Sequence, residues 1–184
     1  NAILQRETAV PVWGWDVPGT KVTVQFAGQT KTAIADKHGD WMVKLNPLKV
    51  SRAERNLEVK NSRGQAITLK GVLVGEVWFS SGQSNMVWTA DKSMCNQLAR
   101  DLASAKDEVL IREININTMS ALYPQKRATS DDGWKKISAA GSFSALSLSF
   151  AHELYKDLNM PIGILLSAHS NTRVEAFTQR GAIE

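Results

Sequence analysis

GEVWFSSGQSNM, residues 75–86, breaks a long apolar run with a polar turn. The apolar part stops at Ser80-Ser81, and Gly82-Gln83-Ser84-Asn85 follows before the sequence turns polar. This reads as a buried strand ending in a tight turn, with a hydroxyl where a sheet meets the next helix. Such a turn holds Ser84 Oγ clear of the sheet and aims backbone N–H groups at one spot, the geometry that acyl transfer requires. The same residues also suit a plain strand-end turn in which Ser84 or Asn85 caps a helix. The local pattern leaves both readings open.

Downstream, the order of elements predicts an α/β domain. Composition changes at Gly71, and residues 72–79 are nearly continuous apolar sequence, as expected of a strand covered on both faces. Met94, Leu98 and Leu102 share a helical face, with Cys95 and Ala99 beside them, and Cys95 reads as a small core residue. Residues 109–117 read as the next strand. Residues 118–137, with Tyr123-Pro124, Asp131-Asp132-Gly133 and Trp134, form an irregular excursion of the kind that shapes a cleft or covers a sheet edge. Ser142 is placed to cap a helix carrying Phe143, Leu146, Phe150, Leu154 and Leu158 at spacings of three and four. His152 sits mid-helix and reads as structural. Residues 161–166 form a second buried strand, which ends at Ser167-Ala168-His169-Ser170-Asn171-Thr172. Strand, helix, strand, excursion, helix, strand implies a parallel sheet, with ligands at the carboxyl ends of its strands. The turns at Ser84 and at His169 to Thr172 both lie there.

Upstream, residues 1–70 predict a small antiparallel β-sandwich. Val22, Val24 and Phe26 alternate with polar residues, as do Trp41, Val43 and Leu45, then Leu57 and Val59, and Ile67 and Leu69. Turn signals at Pro18-Gly19, Gly28, Gly39 and Gly64 separate these runs. Trp13 and Trp15 share strand parity, so they form either a sugar-stacking platform or, the more economical reading, packing against a core or another domain. Asp36, His38 and Asp40 read as solvated turn residues, with a cation contact as the lesser alternative. Both ends read as cut: Asn1-Ala2-Ile3-Leu4 resembles the middle of a strand, and residues 181–184 add no closing element.

Composition excludes several function classes. The 184 residues are 43% hydrophobic and 22% charged, the profile of an ordinary globular chain. Twenty-two basic and 18 acidic residues give a formal charge of +4 without a basic block, so a nucleic-acid partner is not expected. No apolar run approaches the roughly 20 residues that a membrane span needs. The single Cys95 rules out an intrachain disulfide.

The combination of motifs resembles the sialate O-acetylesterase family of SGNH-type carbohydrate esterases. The likeness runs through Leu4-Gln5-Arg6, Val12-Trp13-Gly14, Gly39-Asp40-Trp41, residues 75–86, Phe143-Ser144-Ala145, and Pro161-Ile162-Gly163 onward to Thr178. It implies a β-sandwich-like accessory domain over residues 1–70 and the first part of an SGNH, flavodoxin-like hydrolase domain over residues 71–184. By the same resemblance Ser84 is the nucleophile, and its N–H is one oxyanion donor. Gly82, Gln83 and Asn85 shape its turn, while Ser170, Asn171, Thr172 and Glu175 fall in the family's second block.

Departures from the family pattern are informative. The second block usually reads Trp-Gly-Gly-Thr, and here it is His169-Ser170-Asn171-Thr172. Asn171 tolerates a left-handed turn, so an oxyanion donor can survive there. His169 stands at an aromatic cleft position and is not the family base. A family cysteine is Ser80 here, and an acidic or amide residue after Met86 is Val87. The third block and the late aspartate–histidine pair are absent, so the resemblance implies a front portion whose complete site needs a C-terminal segment of the same protein. The implied activity is deacetylation of O-acetylated sugars, 9-O-acetylated sialic acid among them, without metal or organic cofactor. Family members imply a secreted or periplasmic location. The rival readings are a carbohydrate binder that has lost catalysis and a purely structural fragment. Nucleotide binding is weaker, because neither Gly82 nor Gly141 lies in a phosphate-cradling motif.

Overall fold

A computed structural model describes residues 1–105, 108–119, 123, 125 and 127–178. Pro124 and residues 181–184, singled out above, lie outside the described residues. Contacts divide the chain into two compact units, Asn1–Glu76 and Val77–Glu184.

In the first unit the alternating sequence becomes two sheets around one core. Strands β3 (Lys21–Phe26), β4 (Gln29–Ile34), β6 (Ser51–Asn61) and the beginning of β7 (Ala66–Gly82) pair in the order β4-β3-β6-β7. Strand β1 (Ile3–Gln5) joins β7 in parallel, with Ile3 opposite Leu73. Strands β2 (Val10–Trp15) and β5 (Asp40–Leu45) form a separate antiparallel pair. Val22, Val24 and Phe26 of β3 meet Trp41, Val43 and Leu45 of β5 in a common core with Leu57, Val72 and Val74. Every second residue points inward, which is why the period-two pattern was legible. The change of composition at Gly71 marks a change of burial within one uninterrupted strand. Residues 66–70 are exposed and residues 71–75 are buried.

Two expectations fail in the β-rich part. Ile67 and Leu69 are 63% and 47% exposed, so this alternation does not mark a buried face. Trp13 and Trp15 are 56% and 44% exposed, so the core half of their packing expectation fails, while exposure leaves the packing against another domain and the sugar platform as they were. Their parity sets them on the face of β2 opposite Val10, whose side chain enters the core.

The second unit is an α/β arrangement on a mixed sheet. The end of β7 neighbours β10 (Ile162–Ala168), which neighbours β8 (Ile111–Asn115), and β9 (Trp134–Lys136) forms the far edge. Strands β8 and β10 are parallel, while β8 and β9 are antiparallel. The sequence reading missed β9 because Trp134-Lys135-Lys136 is too short and too charged to show a period. Helices α1 (Ser84–Val87), α2 (Asn96–Ser104) and α3 (Ala145–Leu158) complete the unit.

The helices correct the sequence reading more than the strands do. Helix α3 buries Ala145, Ser147, Leu148 and Ala151, whereas Leu146, Phe150 and Leu158 are exposed. Small residues allow α3 to lie close to its neighbours, and of the expected stripe within the helix Leu154 packs, partly buried, against the core. Phe143 is fully buried but precedes the helix. The cap is Ser144, not Ser142: Ser144 Oγ accepts from the N–H of Ser147 at 3.3 Å, while Ser142 sits in a 3₁₀ turn and bonds Ala139. Met94 lies before α2 and is fully exposed, leaving Ala99 and Leu102 as the buried face of that helix. Cys95 is half-buried beside the core, its Sγ 3.3 Å from Ser149 Oγ. Trp78 and Phe79 of β7 are 44% and 67% exposed, against the expectation of a strand end covered on both faces. Trp78 meets Phe150 edge-on with ring centroids 5.2 Å apart.

One buried charge anchors α3. Glu113, 3% exposed on β8, accepts the Ser144 N–H at 3.3 Å and 3.2 Å through its two oxygens. A carboxylate at a helix N-terminus is electrostatically favoured, but burial outweighs this and pushes the Glu113 carboxyl up to about 7. Raised above the unfolded value of 4.5, this group favours the fold most below pH 4.5, and that contribution disappears as pH rises through 7. Urea unfolding at pH 5 and pH 8 should therefore show a fall of on the order of 2–3 kcal/mol in the native protein. Glu113→Gln, which keeps an acceptor for Ser144 without a charge, should lose most of that fall.

Candidate active site

Gly82 makes the turn after β7 possible. Its φ is +144°, and an added Cβ would lie 2.9 Å from Met86 Cγ, so both conformation and space favour glycine. The chain then enters α1, a single turn with Gln83 as its N-cap residue, held by Met86 N–H to Gln83 C=O at 2.9 Å. Trp88 N–H closes the turn on Ser84 C=O at 3.1 Å. No side-chain hydrogen bond caps α1, so the capping role considered for Ser84 or Asn85 is not taken up. Ser84 is exposed, and among the described residues its Oγ has no hydrogen-bond partner. A hydroxyl free of capping duty at a strand end is available to react.

The second block is tied to this turn at two points. His169 N–H donates to Gly82 C=O at 3.0 Å, and the Gln83 side-chain amide donates to Thr172 C=O. Asn171 between them has φ +58°, the left-handed conformation that brings successive N–H groups round a tight corner. Ser170 and Thr172 flank it, with Thr172 Oγ1 3.5 Å from Ser170 C=O. Glu175 is exposed in a 3₁₀ turn over Val174–Phe177, and no bond joins it to the Ser84 turn among the described residues. The structure thus brings Gly82, Gln83, Ser170, Asn171 and Thr172 into one linked pair of turns beside Ser84 and Asn85. Ser81, next to the nucleophile candidate, is the opposite case: its Oγ is buried and unbonded among the described residues, which suits it poorly to attack.

None of the three histidines hydrogen-bonds Ser84 among the described residues. His169 Nδ1 lies 3.3 Å from Thr118 Oγ1, a contact between the ends of β10 and β8 that sequence spacing did not reveal. His152 Nδ1 faces Glu153 at 3.7 Å on α3. His38 belongs to the turn of the first unit, where Asp36 Oδ1 accepts the N–H groups of His38 and Asp40 at 2.7 Å and 3.0 Å. That carboxylate shapes the turn, and no group of three or more His, Cys, Asp or Glu among the described residues is disposed to hold a metal. Among the described residues, too, no helix is long and apolar enough to cross a membrane.

An α/β unit with an exposed serine in a glycine-led turn at a strand's carboxyl end is a hydrolase-like arrangement. Known proteins narrow it. The chain is homologous to sialate O-acetylesterases over nearly its whole length. It is 31% identical to the Homo sapiens enzyme over 198 residues and 28% identical to the Mus musculus enzyme over 205. Those alignments cover 97% and 99% of this chain but 37% and 36% of the relatives, so it spans just over a third of their length. A crystal structure of a carbohydrate acetylesterase from Xanthomonas citri superposes with a TM-score of 0.88 at 32% identity, over 99% of this chain and 41% of that one. No protein-family model matches.

Gln83 offers a direct test of the two linked turns. Replacing it with leucine removes the bond to Thr172 while keeping a side chain of similar length. One exposed hydrogen bond is worth only about 1 kcal/mol, so global stability should barely change. Hydrogen–deuterium exchange at residues 169–172 should nonetheless rise several-fold relative to β10 itself. Unchanged exchange there would mean that Gln83 does not hold the second block.

Proposed function

We propose that these residues form the nucleophile-bearing front part of a serine carbohydrate O-acetylesterase. In this reading residues 1–70 are a β-sandwich-like accessory domain and residues 71–184 the first part of an SGNH, flavodoxin-like hydrolase domain. The observation that carries it is the free, exposed Ser84 Oγ in a turn linked to a left-handed second block. Ser84 attacks the acetyl carbonyl, and the proton passes to a histidine oriented by an aspartate. The Ser84 N–H and an N–H from the Ser170-Asn171-Thr172 corner receive the oxyanion. The sugar leaves as an alcohol, water attacks the acyl-enzyme, and acetate is released.

The proton acceptor in this scheme is none of His38, His152 and His169, none of which hydrogen-bonds Ser84 among the described residues. It comes from outside these residues, as the resemblance to longer esterases implies. The substrate class is an O-acetylated sugar, with 9-O-acetylated sialic acid as the particular candidate that the relatives' name suggests. No metal or organic cofactor enters the reaction, and a secreted or periplasmic site of action fits the same resemblance.

The altered second block supports one rival. His169-Ser170-Asn171 in place of an aromatic and two glycines suits a protein that holds an acetylated sugar without cleaving it. Intact-mass labelling with an organophosphonate separates the readings when run on the full-length protein with turnover of an O-acetylated sugar. The expected result is one adduct on the parent and none on Ser84→Ala, with turnover reduced by several orders of magnitude. Labelling that survives in Ser84→Ala would refute Ser84 as nucleophile. No labelling of a folded parent would favour the non-catalytic binder.

A further inference from the structure

Both flanks of the Ser84 turn are tied to one neighbouring segment, residues 143–147. On the upstream side, Ser80 Oγ lies 2.7 Å from Ser147 Oγ. On the downstream side, Trp88 N–H closes α1 on Ser84 C=O at 3.1 Å, and Trp88 C=O accepts Ala145 N–H at 2.8 Å. Ala90 N–H donates to Phe143 C=O at 2.9 Å, so Thr89 and Ser144 face each other in an isolated antiparallel bridge. The strand that leads into the nucleophile candidate and the chain that leaves it therefore take their positions from the same few residues.

Glu113 holds that segment. The two bonds of the bridge come from Ala90 and Ala145, which leaves the N–H of Ser144 itself to Glu113, whose oxygens accept it at 3.3 Å and 3.2 Å. The other polar atoms of Ser144 face the helix: Oγ accepts Ser147 N–H at 3.3 Å, and C=O accepts Leu148 N–H at 2.8 Å. Ala90, Glu113, Phe143, Ser144 and Ser147 are all buried, so solvent does not stand ready to replace the carboxyl oxygens. Taking the acceptor away would strand a buried N–H, and a shift of residues 143–145 is the cheapest relief. Such a shift carries Trp88 and Thr89 with it. Burial pushes the Glu113 carboxyl up to about 7, and in either protonation state an oxygen remains to accept the amide.

We propose that Glu113 is a positioning residue for Ser84: by accepting the Ser144 amide it fixes the bridge to Thr89, and with it the direction in which the Ser84 hydroxyl leaves its turn. The role requires an acceptor oxygen at that reach rather than a negative charge. A reacting hydroxyl must be held to within a fraction of an ångström, and a short chain of buried main-chain bonds transmits a displacement of that size. The effect on turnover rests on the esterase reading given above, whereas the placement of the turn is measurable without it.

The test compares Glu113→Ala and Glu113→Gln in the full-length protein. Glu113→Ala should lower kcat for an O-acetylated sugar by roughly ten- to a hundredfold. KM should stay within about twofold of the parent, because no group that holds the sugar is touched. Glu113→Gln, which keeps an acceptor at the same reach, should restore kcat to within about threefold of the parent. Amide exchange at Trp88 and Ala90 should rise several-fold in Glu113→Ala but not in Glu113→Gln, while Ile164 and Leu166 of β10 keep their protection. Should Glu113→Ala fail to fold, Glu113→Asp takes its place with the same expected direction, since it keeps the charge and withdraws the oxygens by one methylene. Parent-like kcat or parent-like exchange in the folded Ala or Asp variant would overturn the proposal. So would a Gln variant as impaired as Ala, or exchange that rises equally along β10, the mark of a merely structural role. A parent without turnover would count against the esterase reading alone, and exchange at Trp88 and Ala90 would still decide whether Glu113 places the turn.

Discussion

The candidate site hangs on the hydrogen bond between the Gly82 carbonyl and the His169 amide. Strand β7 ends there and strand β10 ends beside it, and this bond sets the height at which both turns leave the sheet. Everything beyond is short-range geometry: Gly82 turns the chain, Ser84 projects, and Gln83 reaches across to Thr172. A catalytic constellation must hold its groups to within a fraction of an ångström, and two ties between neighbouring turns achieve that better than either turn alone. The nucleophile candidate needs no partner in these residues to be exposed, but it needs this frame to face one direction.

A second constraint works inside the same unit. Glu113 is buried where a hydrophobic residue would cost less, and its two oxygens receive the amide of the residue that caps α3. The carboxyl couples β8, next to the edge strand β9, to the beginning of α3. Ser80 adds a second link between sheet and helix, its Oγ 2.7 Å from Ser147 Oγ. Small side chains at Ala145, Ser147 and Ala151 beside the buried Leu148 keep the helix close enough for these polar contacts, while Leu146, Phe150 and Leu158 lie exposed.

Much of this was legible in the sequence, and the failures share a cause. Period-two alternation located β3 and β5, because a strand with one buried face leaves no other arrangement of Val22, Val24 and Phe26. Gly82 and Ser84 announced the turn because a glycine between an apolar strand and a polar helix start has few other uses. Helix faces were misread because apolar size was taken for burial: Leu146 and Phe150 are large and exposed, while Ala151 is small and buried. Glu113 escaped notice altogether, since nothing in Ile111-Arg112-Glu113-Ile114 says that its carboxylate lies under a helix start. Contacts between residues far apart in sequence, such as Thr118 with His169, leave no local signal at all.

Asn171 has a consequence for how this protein can drift. A left-handed position is most easily filled by glycine, asparagine or aspartate, because a branched or bulky Cβ substituent collides with its own backbone. Moving between glycine and asparagine is therefore a nearly level step, whereas leaving that small set is a steep one. The substitution that looks most disruptive on paper sits in one of the narrowest mutational corridors of the second block. A lineage can pass along it in either direction while the corner tied to the Gly82-Gln83 turn keeps its shape.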